Sequence, residues 1–384
     1  MKIALVSPYD FTYPGGVNIH IASLKRYLMR CGHEVKIIAP SSRNAPDTGD
    51  KFIRIGTSFP VPAGGTICRI TLSPRLGHTI KSILNQEKFD IVHLHEPYMP
   101  MLCSAVLRFS GAVNIGTFHA YGGKPGYTFG RPISTMMIKR RQNRLHGKIA
   151  VSRAAMQFAN KYIPGQYDII PNGIDLELFS PDVSPISEYC DGKLNILFVG
   201  RLEKQKGAYY LIKAFKQVKQ EVPNARLIIV GPGTRLRGGY EKEVLNSGLS
   251  DVIFVGGKPQ KELPRYYKTA DVFCSPATGL ESFGIVLLEA MAVGKPIVAT
   301  DIEGYNSVVT DGDDGILVPP RNEKLLARAL INLLANEGLR HKMGLRAQET
   351  AKEYGWEIVT QKILDYYIRI RDETIKKRIK ITTT

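Results

Sequence analysis

The chain has 384 residues, 43% of them hydrophobic and 23% charged, with a formal net charge of +17. The length exceeds one average domain and the proportions are globular, so general disorder is excluded and two domains are expected. The charge is unevenly placed: residues 1–171 carry +14, residues 172–357 carry −1 and residues 358–384 carry +4, an asymmetry that points to nucleic acid, an anionic membrane surface or a phosphorylated substrate as partner.

In chain order, short β-branched runs alternate with amphipathic segments. Ile3–Ser7 is a predicted strand, Val17–Arg30 a helix, and Val35–Ala39, Asp90–His95, Val113–Thr117, Lys148–Val151 and Asp168–Ile170 are further strands. Ile3–Val6 is broken by Ser7-Pro8-Tyr9-Asp10, far short of a signal-peptide core, and no apolar run approaches a membrane span. The five cysteines, Cys31, Cys68, Cys103, Cys190 and Cys274, are scattered without a Cys-x-x-Cys pair, so reduced thiols and a cytoplasmic protein are expected. The alternation restarts at Leu194–Val199, with a helix from about Gly207 and strands at Arg226–Val230, Val252–Val255, Val272–Ser275, Pro296–Ala299 and Gly315–Val318. Repeated βα units predict parallel sheets covered on both faces. The expected architecture is α/β: two Rossmann-like, doubly wound domains facing a central cleft. Residues 1–171 form the first and 172–357 the second, and an amphipathic helix over 358–384 packs back on the first. Pro171-Asn172-Gly173 reads as a turn and Pro181–Gly192 as the linker.

Ligands of parallel α/β sheets bind beyond the carboxyl ends of strands, so those loops carry the candidate chemistry. The first ends in Pro14-Gly15-Gly16 and opens a helix. Glycines there let backbone approach a phosphate at a helix N-terminus, although a plain strand-to-helix turn has the same composition. The loop Gly200-Arg201-Leu202-Glu203-Lys204-Gln205-Lys206-Gly207 puts two cations where a diphosphate would sit; a solvated charged loop is the bland alternative. The strongest local signal is Glu281-Ser282-Phe283-Gly284-Ile285 leading to Glu289 in an apolar helix. Its opening amides suit a diphosphate, with one carboxylate for sugar hydroxyls at one end and the other for ribose at the far end. Glu289 on a helix surface is the alternative, opposed by its apolar neighbours.

Three further patterns are read as decoys. Asp311 and Asp313 lie in a turn composition before a strand. His93 and His95 share a strand face, but no third or fourth converging metal ligand is evident. Gly231-Pro232-Gly233 lacks the third glycine of a dinucleotide fingerprint, which disfavours a nicotinamide enzyme.

Taken together, Gly15-Gly16, Phe118-His119, Pro171-Asn172-Gly173-Ile174-Asp175, Gly200-Arg201 with Lys206-Gly207, and Glu281 through Glu289 resemble glycosyltransferase family 4 over nearly the whole chain. The resemblance implies the GT-B fold and a retaining, metal-independent transferase without cofactor. Within the family, Ser7-Pro8-Tyr9, Tyr13–Val17, His93-Leu94-His95-Glu96-Pro97 and Gly116–His119 look most like the phosphatidylinositol mannosyltransferases that use GDP-mannose. By that likeness, the donor contacts Gly15, Gly16, Arg201, Lys206, Glu281, Ser282, Phe283, Gly284, Ile285 and Glu289. Arg201 and Lys206 neutralise the departing diphosphate, Glu281 holds sugar hydroxyls, Glu289 the ribose, and His119 positions the transferred sugar. Tyr9 and His119 face the acceptor, a lipid or polyol phosphate. The loop Ala120–Gly126 departs from the Ser/Thr-rich version of the mannosyltransferases, leaving the acceptor open. A UDP-sugar enzyme with another lipid or a soluble acceptor is the nearest alternative; a nucleic-acid-binding protein is disfavoured because no nucleic-acid module appears. Peripheral attachment to the cytoplasmic membrane face is expected through three groups. These are Pro74–Lys88, with Leu76, Ile80, Ile83 and Leu84 as its apolar face beside Arg75 and Lys81; Lys139, Arg140, Arg141 and Arg144; and Lys376, Lys377, Arg378 and Lys380.

Overall fold

A computed structural model describes all residues except 14, 43–50, 64–65, 72, 74–75, 122–140 and 384. The chain divides into two compact units, Met1–Gly173 with Trp356–Thr384, and Ile174–Gly355.

In the first unit, seven parallel strands are ordered β3-β2-β1-β6-β7-β8-β9. They are β1 Lys2–Val6, β2 Glu34–Ala39, β3 Phe52–Arg54, β6 Ile91–His95, β7 Val113–Phe118, β8 Gly147–Ala150 and β9 Asp168–Ile169. Every residue of β6 and β7 is buried, as expected of central strands covered on both faces. The two-residue period of β1 sends Ile3 and Leu5 into one core and Ala4 and Val6 into the other. The helix Gly16–Arg30 covers the first face because Ile21, Leu24 and Leu28 recur at helical spacing. The helix Trp356–Thr383 joins it there, contributing Trp356, Val359, Ile363, Tyr367 and Ile370 to the same core. The opposite face is covered by Leu76–Glu87 and Leu102–Phe109. A separate antiparallel hairpin, β4 Ser58–Ala63 with β5 Thr66–Thr71, is an element the sequence reading did not anticipate.

The second unit has six parallel strands ordered β12-β11-β10-β13-β14-β15. They are β10 Leu194–Val199, β11 Ala225–Val230, β12 Val252–Gly256, β13 Val272–Ser275, β14 Ile297–Thr300 and β15 Gly315–Val318. In each sheet the strand order reverses once, at β1/β6 and at β10/β13. These topological switch points are where doubly wound sheets hold ligands.

Two expectations are corrected. Pro181–Gly192 is no free linker: Ile186 N–H donates to Thr269 Oγ1 at 2.8 Å, Arg265 Nη2 donates to Pro185 O at 3.2 Å, and Tyr189 is buried. Leu76, Ile80 and Leu84 are buried in the core of the first unit, with Ile83 packed against it. Their apolar stripe has the protein interior as its partner, so it offers no face to a membrane. Arg75, Lys139 and Arg140 lie outside the described residues. No described helix is long and apolar enough to cross a membrane.

Candidate functional site

At the switch point of the second unit, the loops after β10 and β13 are locked together. Thr278 N–H donates to Gln205 O at 2.8 Å. Gly207 has φ +75°, and a Cβ there would lie 1.8 Å from Pro276 O, so only glycine permits this approach. Lys206, on a 3-10 turn Lys204–Lys206, is thereby brought to Glu281: Nζ and Oε1 are 2.7 Å apart, with both side chains mostly shielded. The second support lies under Glu281, where a Cβ on Gly304 would meet Glu281 O at 2.1 Å. Arg201 shares the loop but is half exposed, its Nε 3.4 Å from Glu203 Oε1.

Beyond Glu281, Ser282, Phe283 and Gly284 lead into the helix Ile285–Ala292, which begins without a side-chain cap. Leu287 N–H is taken by Gly284 O at 2.9 Å, while no side chain caps the amides before it, a setting that suits anionic oxygen. Phe283 and Leu287 anchor the segment by burial, and Tyr305 supports it from beneath, its hydroxyl 2.7 Å from Ser275 Oγ. Glu289, the fifth residue of the helix, is buried and accepts a 2.6 Å hydrogen bond from Tyr267. Burial pushes its carboxyl up to about 7, opposed by the Tyr267 hydroxyl. The structure therefore brings Lys206 and Glu281 into contact, while Glu289 sits deeper on the same segment.

At the switch point of the first unit, the loop after β1 holds Tyr9, whose phenol is pushed well up by burial and by Glu96. Gly15 caps the helix that starts at Gly16, again without a side-chain cap. A Cβ on Gly15 would meet nothing within 4 Å, so that glycine relieves no crowding inside the fold. His119 follows β7. Its backbone N–H and that of Ala120 donate to Glu96 Oε1 at 2.6 and 2.8 Å, so a buried carboxylate after β6 fixes the His119 loop.

Around His119 lies a group of buried histidines. His95 Nδ1 is 2.9 Å from His119 Nε2. His93 stacks on His95 at 4.4 Å and is saturated by Tyr367 Oη and Thr117 Oγ1, each at 2.6 Å. His20, from the helix Gly16–Arg30, lies edge-on to both His95 and His119, at 5.2 and 4.9 Å between centroids. Burial keeps all four rings neutral at pH 7, lowering His20 to about 4 and His93 to about 3 and holding His95 and His119 well below their ordinary value. His20, His95 and His119 each offer one ring nitrogen within 4.8 Å of the others.

The sequence puts His93 and His95 on one strand face with no further converging ligand in sight; in the fold His93 is taken by Tyr367 and Thr117, while His119 and, from a distant helix, His20 converge on His95. Glu96, Tyr267, Tyr305 and Tyr367 were also missed as supports, since nothing in their local sequence shows which distant group they meet. Asp311 and Asp313 do lie in a turn. Asp311 Oδ1 accepts from Leu317 N–H at 2.8 Å, and Asp313 pairs with Arg346 at 3.1 Å.

Two family models match: Glycosyltransferase Family 4 over residues 14–178 and Glycosyl transferases group 1 over residues 184–350. A phosphatidyl-myo-inositol mannosyltransferase of Mycolicibacterium smegmatis is 31% identical, covering 99% of this chain and 96% of that protein. Another with that name, from Propionibacterium freudenreichii, is 32% identical over 96% of this chain and 94% of its own length. A D-inositol 3-phosphate glycosyltransferase of Frankia alni is 28% identical over 92% of this chain and 94% of its own. Among solved structures, sucrose-phosphate synthase from Thermosynechococcus elongatus superposes with a TM-score of 0.75 at 24% identity, covering 96% of this chain and 98% of that one. HepE of Anabaena, in complex with UDP and glucose, gives 0.73 at 20% identity over 95% and 99%.

Proposed function

The chain belongs to glycosyltransferase family 4 and has the GT-B fold, and from that premise we propose that it moves mannose from GDP-mannose to an inositol lipid headgroup, such as that of phosphatidylinositol, with retention at the anomeric carbon. The observation that carries this reading is the Lys206–Glu281 pair beside the uncapped helix Ile285–Ala292. The helix amides receive the diphosphate, Lys206 and Arg201 neutralise the charge that develops as it departs, and Glu281 accepts hydrogen bonds from the sugar. Glu289 accepts from the ribose hydroxyls, and Gly15 and Gly16 admit the diphosphate to their backbone. His119 positions the sugar, and Tyr9 lines the acceptor. The departing phosphate takes the proton of the acceptor hydroxyl on the face where the new bond forms. Protein cations do the work of a metal, so the chemistry is metal-independent.

Support for mannose and an inositol lipid comes from the names of the full-length relatives. Work at a bilayer surface is supported by the exposed cations Lys376, Lys377 and Lys380 on the last helix. The deciding experiment offers purified protein a panel of GDP- and UDP-sugars with phosphatidylinositol vesicles, following both transfer and slow donor hydrolysis. GDP-mannose consumption with a mannosylated lipid product is expected. Turnover of a UDP-sugar instead, or of GDP-mannose only with a water-soluble acceptor, would replace the donor or the acceptor in this proposal.

A further inference from the structure

We propose that His20, His95 and His119 form a site for one divalent transition-metal ion of the zinc, cobalt or nickel class, and that filling it switches transfer off. The binding stands on the histidine geometry alone; the inhibition rests on the reading that His119 positions the donor sugar.

Three imidazoles holding a tetrahedral cation at 2.0–2.1 Å have ring centroids about 5 Å apart and ligating nitrogens about 3.3 Å apart. The observed centroid separations are 5.2 Å for His20 and His95, 4.9 Å for His20 and His119, and 5.2 Å for His95 and His119. The facing nitrogens of His95 and His119, at 2.9 Å, need only a few tenths of an ångström of separation to admit the ion. His20, His95 and His119 are 3%, 0% and 9% exposed, and they come from a helix and the ends of two central strands, so the triangle is rigid.

The polar groups around this triangle are incompletely paired. Both ring nitrogens of His20 and Nε2 of His95 are buried without a hydrogen-bond partner, an arrangement that is costly unless something meets them. A cation would take the lone pair of His20. Asn172 lies beside His20, outside hydrogen-bond geometry, and its buried Oδ1 is also unpartnered. It is suited to accept the outer N–H of a metal-bound His20, as a supporting residue does in metal sites. His93 is excluded as a ligand because Tyr367 and Thr117 occupy both its nitrogens.

Protonation also balances. Neutral imidazole is the ligand form, and burial keeps these rings neutral. His95 and His119 present both facing lone pairs once their protons reside on Nε2 and Nδ1, so binding releases no proton. The Glu96 carboxyl, which accepts from the His119 and Ala120 backbone N–H groups, belongs to the same loop cluster. An all-imidazole set selects zinc, cobalt, nickel or copper over magnesium and calcium. Once the ion holds His119 through Nε2, neither that nitrogen nor the ring is free to turn to the sugar.

The test uses full-length protein stripped with a chelator and titrated with Co²⁺. One equivalent should bind with the visible bands of four-coordinate cobalt. His20→Asn should weaken binding at least about a hundredfold, the upper end of what even supporting residues cost, with an unchanged circular dichroism spectrum. Cu²⁺ bound to the unaltered protein should show nitrogen splitting from imidazoles in its electron paramagnetic resonance spectrum, a readout independent of how the variant folds. Zn²⁺ should stop wild-type transfer, a chelator should restore it, and His20→Asn should stay active in the same Zn²⁺. Absence of the cobalt bands or the nitrogen splitting, or equal affinity in a folded His20→Asn protein, overturns the site. Binding through the histidines with transfer intact at full occupancy leaves the site standing and removes His119 from the donor sugar.

Discussion

Glu289 makes the strength of donor binding a function of pH. Its carboxyl, buried against Tyr267, is pushed up to about 7, so about a tenth is ionised at pH 6 and about nine tenths at pH 8. Only the ionised form accepts from both ribose hydroxyls. Apparent affinity scales with the competent fraction, so GDP-mannose should bind about tenfold more tightly at pH 8 than at pH 6, releasing close to one proton at the lower pH. The diphosphate of GDP-mannose is a diester with no proton to lose in this range, so the protein supplies the slope. Glu289→Gln should bind with no slope over this range, close to wild type at pH 6, where about nine tenths of wild type is neutral, and about tenfold more weakly than wild type at pH 8. Stability follows with a definite sign. A carboxyl raised from 4.5 to about 7 keeps its proton when the unfolded chain has lost its own. Ligand-free protein is thus favoured below pH 4.5 and loses about 3 kcal/mol of that contribution as pH rises through 7. Calorimetric titration at pH 6, 7 and 8, in two buffers of different ionisation enthalpy, measures affinity and protons together. A flat wild-type profile, or the same slope in Glu289→Gln, would remove Glu289 from the ribose.

Glu281→Gln and Arg201→Ala should each lower turnover at least roughly a hundredfold with the fold retained, the usual size for charge at a reacting centre; near-normal rates in either folded variant would take that residue out of the chemistry. Transfer should persist in excess chelator, whereas loss with chelator and rescue by manganese or magnesium would reassign the diphosphate to a metal. Vesicle sedimentation should show binding to anionic but not zwitterionic lipid, weakening with salt. Replacing Lys376, Lys377 and Lys380 by Ser should cost about 3 kcal/mol at about 1 kcal/mol per cation, and equal partitioning to both vesicle types refutes the attachment.

The strands were legible because central parallel strands must be apolar along their whole length, and β10, β13 and β15 begin and end where the β-branched runs do. The closing helix was legible from its periodicity. The segment Pro181–Gly192 misled because it is held by Arg265, Lys268 and Thr269 reaching its backbone, contacts that leave no periodic trace. Leu76, Ile80 and Leu84 misled for another reason: an apolar stripe reads alike whether its partner is a core or a bilayer. At the candidate site, composition exposed Glu281, Lys206 and Glu289, while the Lys206–Glu281 contact depends on a backbone approach that only Gly207 permits. His20 was hidden among the core positions of its helix, spaced like Ile21 and Leu24 but pointing at residues far along the chain.

The return of Trp356–Thr383 to the first unit ties the order of synthesis to the order of folding. Trp356 packs where a Cβ on Gly173 would stand, 2.5 Å from its ring, and Tyr367 supplies the partner of His93 Nδ1. Neither is present when the ribosome finishes the strands they cover. At roughly 5–20 residues per second, the intervening unit takes on the order of ten to forty seconds to emerge, and through that interval the sheet of the first unit has one apolar face only partly sealed. The second unit, contiguous from Ile174 to Gly355, can close while its elder sibling waits. A nascent chain halted before Trp356 should therefore hold a protease-resistant second unit and a first one that recruits chaperones.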